Sequence, residues 1–410
     1  MSALPASVQE QSLAWIASRQ AAMLQETIAL AEINSGSLNV AGVQAVRERL
    51  AALFADLGGT AEVLPVAPWE QLSESGEIVR RPLGEALRIR KHPEAPLQVF
   101  LCGHMDTVFG LNHPFQTVRT LPDGRINGPG VADLKGGLVL MHTALAALER
   151  SPLAGRIGWE VLFNPDEEIG SQGSAPLLTE AAGRCHVGLI YEPSFPDGNL
   201  AGARKGSGNF ALAARGRAAH AGREHHLGRN AIRALADAIG RIDGLNGQRA
   251  GVTWNIGFVH GGGAVNVVPD QAMARFNVRM ERPEDMDWCQ QQMDAIVAEI
   301  DKRDGISLEL HGAFTRPPKV LSPQNQALFA LAQDCGRQIG LELQHLPTGG
   351  CCDGNNLAAA GLPNIDTLGV HGGDIHSAQE WMHPQSLSER ASLSALILLR
   401  LAADGLPQTV

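Results

Sequence analysis

The chain has 410 residues, and its content of 44% hydrophobic and 19% charged residues supports a large buried core and excludes a disordered chain. The formal net charge of −10 argues against a broad nucleic-acid-binding or membrane-binding surface, since both need a dense positive field. No apolar run approaches the roughly 20 residues that span a bilayer, no signal peptide is recognisable, and the six cysteines are too few for a disulfide scaffold, so we expect a cytoplasmic protein of two or three domains.

The first half of the chain alternates between helix-like and strand-like segments. Apolar residues recur at near-helical spacing over 13–33 and 43–57, and the second run ends at Gly58-Gly59. A further helix is predicted over 134–148, and strands are predicted at 61–66, 86–90, 97–102, 157–163 and 187–191. Strands that alternate with helices indicate βα units and a largely parallel sheet, so the fold class is α/β.

The pattern changes after Asn199, where glycines become frequent. Helices are predicted over 230–242 and 284–301, and strands at 210–214, 252–259, 273–280 and 307–310. This β-α-β-β-α-β order is typical of a ferredoxin-like layer, and it ends at the breaker Arg316-Pro317-Pro318. We therefore predict a domain at 203–316 inserted into a discontinuous domain made of 1–202 and 317–410.

Polar residues follow the strand at 97–102 in the segment Gly103-His104-Met105-Asp106. His104 and Asp106 are two residues apart and can share a face beyond the carboxyl end of the strand, where open α/β sheets build ligand sites. An acidic neighbour fixes the tautomer of a metal-ligating histidine. The alternative is a surface turn capped by the aspartate.

Acidic residues follow three other apolar or Gly-rich segments. Asp133 lies between Gly128-Pro129-Gly130 and Gly136-Gly137, where it can also be the N-cap of the next helix. The run Asp166-Glu167-Glu168 follows the strand at 157–163, and Glu192 follows the strand at 187–191. Adjacent carboxylates repel one another unless something positive lies beside them, although a solvated acidic turn is the common alternative.

A second candidate histidine, His376, lies in a Gly-rich loop near the C-terminus. Any one of the 14 histidines can be an ordinary surface residue. Two histidines and several carboxylates that each follow an apolar segment are, as a set, typical of a site for divalent cations.

Six motifs carry a resemblance to a known family. They are GHMDTV at 103–108, GPGVADLKGG at 128–137, LFNPDEEIGS at 162–171, YEPS at 191–194, GRAAHAG at 216–222 and HSAQEW at 376–381. In this order the chain resembles the two-zinc metallopeptidase family of glutamate carboxypeptidase, acetylornithine deacetylase, succinyl-diaminopimelate desuccinylase and aminoacylase, with most likeness to the glutamate carboxypeptidase branch. The resemblance implies a zinc-peptidase-like, mostly parallel sheet flanked by helices, with an inserted ferredoxin-like lid and dimerisation domain.

The resemblance also implies roles for individual residues. Each subunit would bind two Zn²⁺ ions, with Co²⁺ or Mn²⁺ as substitutes. The two ions would share Asp133 as a bridging ligand. His104 and Glu192 would complete one site, and Glu168 and His376 would complete the other. Glu167 would be the general base, and Asp106 would orient His104. The family pattern further implies a cis peptide bond at Asp133–Leu134.

The inserted domain is implied to contribute to catalysis and substrate binding. His220 matches a histidine that reaches the active site of the partner subunit in a homodimer and stabilises an oxyanion. Asn266 and Arg279 match residues that bind the substrate carboxylate, a role that suits the planar fork of an arginine. The alternatives are a surface histidine at a strand end and a surface charge on a strand.

One departure from the family pattern concerns Cys352, which follows Cys351 and stands where many relatives carry a hydroxyl residue. A small apolar replacement, altered specificity and capture of stray metal are all open alternatives. The segment His260-Gly261-Gly262-Gly263 looks like an esterase oxyanion loop, but the sequence has no Gly-x-Ser-x-Gly elbow. It has no His-Glu-x-x-His pattern of a thermolysin-type site either.

These observations predict a two-zinc amidohydrolase that releases a free amino acid, with glutamate favoured. Its substrate would be a small acyl-amino acid or dipeptide with a free carboxylate, and neither a nucleic acid nor a membrane is an expected partner. The alternative within the same chemistry is deacylation of an N-acyl amino acid or diamino acid. A remote alternative is a non-catalytic relative that only binds metal or amino-acid derivatives.

Overall fold

Ten α-helices lie within residues 4–409, the part of the chain that this computed structural model describes. The helices are α1 (Ala6–Ser18), α2 (Gln20–Ala31), α3 (Val40–Phe54), α4 (Gly136–Glu149), α5 (Ala175–Ala182), α6 (Ala231–Asp243), α7 (Glu284–Asp301), α8 (Pro323–Gln338), α9 (Asp353–Ala359) and α10 (Ser386–Asp404). The helix predicted over 43–57 is α3 and a short 3₁₀ turn, and it ends where Gly58 adopts a left-handed φ of 71°.

The strands vary from two to ten residues in length. They are β1 (Thr60–Leu64), β2 (Trp69–Leu72), β3 (Ile78–Arg81), β4 (Ala86–Lys91), β5 (Gln98–His104), β6 (Arg119–Thr120), β7 (Ile126–Asn127), β8 (Gly158–Asn164), β9 (Val187–Ile190), β10 (Leu200–Arg204), β11 (Gly206–Arg215), β12 (Ala219–His220), β13 (Thr253–Gly261), β14 (Val267–Val268), β15 (Gln271–Met280), β16 (Ser307–Arg316), β17 (His345–Thr348), β18 (Asn364–Ile365), β19 (Gly372–Gly373) and β20 (Trp381–Met382).

The largest sheet has six strands in the order β1-β4-β8-β5-β9-β18. The β8–β5, β5–β9 and β9–β18 pairs are parallel, whereas β4 and β1 join the edge as antiparallel strands. All residues of β8 and β9 are buried, which explains why their sequences are continuous rather than alternating apolar runs. The carboxyl ends of β5, β8 and β9 therefore meet at one edge of the sheet.

The segment Val131–Glu149, which ends with α4, is long and apolar enough to span a membrane by length and composition, and 94% of its apolar window is buried inside the protein. The expectation that no apolar run approaches that length was therefore wrong. The α4 helix lies in the main core together with residues of α2 and α10, so burial in a protein interior accounts for its composition.

A second, antiparallel sheet has the order β13-β15-β11-β16. Its apolar side chains and those of α6 and α7 form a separate buried cluster. Along β15 the even-numbered residues belong to this cluster, and the odd-numbered ones face the other side. Arg279 therefore lies on the face of the sheet that α6 and α7 leave open.

Two strands of this sheet are longer than the sequence predicted. The patterns at 210–214 and 307–310 extend into the ten-residue strands β11 and β16, which continue through Gly208 and Gly312 respectively. At Gly208 a side chain would be in steric conflict, since an added Cβ would lie 2.6 Å from the Phe210 ring and 2.7 Å from the Phe314 ring. The glycine thus makes room for aromatic packing within the strand.

The hairpin formed by β2 and β3 was not predicted. It occupies the connection between the antiparallel neighbours β1 and β4, which is far longer than a hairpin needs. Its Leu72 packs in a buried cluster with Met273 of β15, and Arg275 donates a hydrogen bond to the Leu72 carbonyl oxygen at 2.7 Å. The hairpin therefore covers part of the open face of the second sheet.

The chain passes between the two sheets at two adjacent points. Arg204 and Lys319 form an antiparallel bridge in which each backbone N–H donates to the other carbonyl oxygen at 3.0 Å. Their side chains converge on Asp366, which follows β18. Arg204 donates to both carboxylate oxygens at 2.9 and 2.8 Å, and Lys319 donates at 2.7 Å. All three side chains are buried.

Candidate active site

Five segments bring polar side chains together at the carboxyl edge of the main sheet. His104 ends β5, Glu168 lies in the 3₁₀ turn after β8, and Glu192 follows β9. Asp133 lies in the turn that precedes α4, and His376 lies in the loop between β19 and β20. The peptide bond Asp133–Leu134 is cis, which confirms that prediction.

Asp133 lies between the two histidines. Its Oδ1 is 3.1 Å from His104 Nε2, and its Oδ2 is 3.1 Å from His376 Nε2. Glu192 Oε1 is 4.0 Å from His104 Nε2, and Glu168 Oε2 is 3.3 Å from His376 Nε2. Each histidine therefore has one glutamate of its own and shares the aspartate, so the structure brings these five residues into one cluster.

The carboxyl and imidazole groups of this cluster lie close enough together to shift one another's pKa. Burial and the neighbouring Asp133 raise the pKa of Glu168 to about 8, and burial raises the pKa of Glu192 well above its ordinary value. Hydrogen bonds to Asp133 and Glu168 raise the pKa of His376 to about 11. Ligand atoms of His104, Asp133 and Glu168 lie within 4.8 Å of one another. Imidazole and carboxylate donors without cysteine fit zinc, and this cluster is where such an ion would bind.

Asp106 connects His104 to the acidic turn. The Nδ1 atom of His104 is 2.9 Å from the Asp106 carbonyl oxygen and 3.4 Å from its carboxylate. That carboxylate accepts hydrogen bonds from the backbone N–H groups of Glu167 at 3.1 Å and Glu168 at 3.2 Å, and from the Ser37 hydroxyl at 2.6 Å. Asp106 thus orients a histidine and holds the two glutamates in place.

Glu167 lies beside the cluster and contacts Arg316, a residue of the predicted domain boundary. The Nη2 atom of Arg316 donates to Glu167 Oε1 at 2.6 Å and to the Ser171 hydroxyl at 3.0 Å, and Nη1 donates to Asp353. Burial raises the pKa of Glu167 to about 7, although the Arg316 charge opposes the rise. A carboxyl group with a pKa near neutrality can exchange protons at neutral pH.

A model of the peptidase family M20/M25/M40 matches residues 100–400. The chain belongs to this family. It is 27% identical over 391 residues to carboxypeptidase G2 of Pseudomonas sp. (strain RS-16), which covers 94% of this chain and 90% of that protein. It is 26% identical over 351 residues to succinyl-diaminopimelate desuccinylase of Verminephrobacter eiseniae (strain EF01-2), with 81% and 85% covered.

The fold is similar to that of the M20 family metallo-carboxypeptidase Sso-CP2 from Sulfolobus solfataricus. The TM-score is 0.71 at 16% identity, with 93% of this chain and 99% of that chain covered. The resemblance to the zinc metallopeptidase group is therefore confirmed, and so is the mixed α/β fold. The chain is a hydrolase of amide or peptide bonds.

Two of the expected substrate-site residues of this M20 hydrolase lie away from the cluster. His220 is in β12, which pairs with β14, and the Ala221 N–H donates to the Asn266 carbonyl oxygen at 2.9 Å. Both side chains are exposed. Within residues 4–409, the hydrogen bonds of the His220 ring are to the N–H groups of Gly222 and Arg223. The single chain thus brings His220 and Asn266 together but does not join them to Asp133.

Arg279 is half-buried, and the two cysteines near it have different environments. Its Nη1 atom is 2.9 Å from Cys351 Sγ, and its Nε donates to Asn277 Oδ1 at 2.9 Å. Cys352 is buried, and its sulfur accepts the Gly354 N–H at the start of α9. Cys352 is therefore a helix cap, whereas Cys351 is the thiol next to the arginine.

Sequence reasoning left two further residues of this peptidase site unassigned. Glu380 was part of the HSAQEW motif but had no role, and its buried carboxylate contacts the Asp133 turn. Lys135 was part of the GPGVADLKGG motif, and it is buried with its ammonium group donating to the Ile33 carbonyl oxygen at 2.7 Å. Burial lowers the pKa of Lys135 to about 7. The signal that the sequence offered for both residues was a charged side chain within a family motif.

Proposed function

We propose that this M20 hydrolase uses two zinc ions to cleave an amide bond next to a free carboxylate and releases an amino acid, with glutamate favoured. The observation that carries the proposal is the Asp133 carboxylate between two histidines that each have a glutamate of their own. The glutamate preference rests on the similarity to carboxypeptidase G2.

We assign His104 and Glu192 to one ion, His376 and Glu168 to the other, and Asp133 to both. When bound, the ions would polarise the substrate carbonyl and lower the pKa of the attacking water. Co²⁺ and Mn²⁺ suit the same nitrogen and oxygen donors and are proposed as substitutes.

The chain's own groups would carry the proton. Glu167 lies beside the cluster with Oε1 held by Arg316, and its pKa of about 7 allows it to take a proton from water and pass it to the leaving amine. Asp106 keeps the His104 ring oriented through its Nδ1 side.

The substrate carboxylate is proposed to bind Arg279 and Asn266. Arg279 lies on the open face of the second sheet beside Cys351, so its fork faces away from the α6 and α7 layer.

We propose that residues 203–316 form a lid and dimerisation domain on a discontinuous catalytic domain of 1–202 and 317–410. The separate buried cluster of the second sheet supports this division.

A homodimer through the second sheet is part of the proposal. The strand β13 is at the edge of its sheet, and Val259, Val265 and Val267 are exposed. Exposed apolar side chains next to an open strand edge are suited to pairing with another chain.

A cytoplasmic location is also proposed, since all six cysteines are free.

One alternative stays open within the same site. Deacylation of N-acyl amino acids is favoured by the similarity to succinyl-diaminopimelate desuccinylase, and it breaks the same type of bond. The remote alternative of a non-catalytic binding protein is not supported, because the chain belongs to a hydrolase family and keeps Glu167 next to the candidate ligands.

The deciding experiment measures free amino acid released by the zinc-loaded protein from N-acyl amino acids, dipeptides and folyl-glutamate, with and without chelator. Chelator-sensitive release from substrates with a C-terminal glutamate supports the proposal. Turnover of simple N-acyl substrates alone supports the deacylase. No turnover with two metals bound would overturn both.

His220→Ala is expected to lower kcat by about 10²–10³-fold with little change in KM, because one oxyanion donor is lost. If His220 acts across the dimer, mixed dimers of His220→Ala and Glu167→Gln subunits regain activity, since one of the two sites then has both residues. Sedimentation of the wild type as a monomer, or mixed dimers as inactive as the parents, would contradict this role.

A further inference from the structure

Glu380 has an unusual environment for a glutamate. Its side chain is buried, and within residues 4–409 no lysine, arginine or histidine forms a salt bridge with it. Its partners are backbone groups instead. Oε1 accepts the N–H groups of Ala132 and Asp133, both at 3.0 Å, and Oε2 accepts the N–H of Gly130 at 3.1 Å. The carboxylate thus holds the turn that presents Asp133.

The backbone of Glu380 is attached to the same turn. Its carbonyl oxygen accepts a hydrogen bond from Asn127 Nδ2 at 2.7 Å and another from the Gly128 N–H at 3.3 Å. The next residues, in β20, pair with β7 just before the turn. Glu380 also lies four residues after His376 in the same loop. One residue therefore connects the loop of His376 to the turn of Asp133.

Three converging N–H donors need a group that only accepts hydrogen bonds. A carboxylate meets this need with both oxygens, and charge-assisted bonds of this kind are stronger than neutral ones. A glutamine has the same shape but would point an NH₂ group at one or two of the three donors. The geometry therefore selects a carboxylate at this position.

We propose that Glu380 is a positioning residue that fixes Asp133 Oδ2 relative to His376 Nε2 and thereby sets the affinity of the metal ion held by His376 and Glu168. The inference rests on the two-metal site of the proposed function. The other ion depends less on Glu380, because His104 is oriented separately by Asp106.

The test is titration of the metal-free full-length chain with Zn²⁺ by calorimetry, using Glu380→Gln, Glu380→Asp and the control Glu160→Gln. Glu160 is a buried glutamate in the middle of β8, paired with Arg184 and remote from the carboxyl edge. We expect Glu380→Gln to weaken one of two Zn²⁺ binding steps by about 10–100-fold and to leave the other within about threefold. The control should leave both unchanged.

Glu380→Asp keeps the charge but withdraws both oxygens, so it should weaken the same step and serves as the test if Glu380→Gln does not fold. Unchanged binding, equal weakening of both steps in a folded variant, or a wild type that binds one Zn²⁺ would overturn the inference. If the wild type binds Zn²⁺ in two steps but hydrolyses no amide, the proposed function is overturned. The effect of Glu380→Gln on the two binding steps then still tests the inference.

Discussion

Glu167→Gln is expected to lower kcat by about 10²–10⁴-fold while the protein keeps its metals, since general-base catalysis contributes an effect of that size. The glutamine side chain has the same shape, and its amide oxygen can keep the hydrogen bond from Arg316 that Glu167 Oε1 now accepts at 2.6 Å. What the substitution removes is the proton acceptor. The turn is still held by Asp106, because that contact uses the Glu167 backbone N–H.

The same assignment gives a pH dependence with a definite sign. Burial raises the pKa of Glu167 to about 7, so the base is protonated below this pH and free to accept a proton above it. The kcat/KM of the wild type should therefore rise as pH increases through about 7. The residual activity of Glu167→Gln should lack this rise.

The measurement combines steady-state kinetics with metal analysis of the same samples, and Glu160→Gln again controls for loss of a buried glutamate. A Glu167→Gln variant that keeps a tenth or more of the wild-type kcat would contradict the general-base role. Loss of metal together with activity would show that Glu167 is a ligand rather than a base.

The residues that follow buried strands were predictable from the sequence. His104, Glu168 and Glu192 each lie shortly after an apolar run, and the carboxyl ends of parallel strands lie at the same edge of a sheet. The division into ligand pairs was not predictable from spacing, because His376 and Asp133 are 243 residues apart in the sequence. That part depended on the family resemblance.

The contacts of Glu380 and Arg316 and the hairpin of β2 and β3 could not be predicted from the sequence, and each has a physical reason. Glu380 bonds to backbone N–H groups, which every residue except proline carries, so its partner segment leaves no side-chain signature. Arg316 was hidden because the adjacent prolines suggested only a boundary, whereas its guanidinium reaches Glu167 and Asp353. The hairpin of β2 and β3 was missed because four-residue strands with mostly exposed side chains carry little hydrophobic pattern.

Asp366→Asn is expected to lower the free energy of unfolding by about 3–5 kcal/mol, because removing one partner of a buried ion pair leaves the other charges uncompensated. Arg204 and Lys319 would both remain buried opposite a neutral amide at the point where the chain passes between the sheets. Urea denaturation at pH 7 measures the effect. The exposed pair Arg241–Glu299 supplies the control, and Glu299→Gln should leave the transition midpoint nearly unchanged.

Acid provides a second, independent check of this prediction. The charges of Arg204 and Lys319 lower the pKa of Asp366 to about 2 against the opposing effect of burial, whereas an unfolded aspartate has a pKa of about 3.9. A lowered native pKa means that the stabilisation is complete above pH 4 and is lost as pH falls towards 2. The stability difference between wild type and Asp366→Asn should therefore shrink over this interval. A constant difference would mean that Asp366 stabilises the protein by packing rather than by charge.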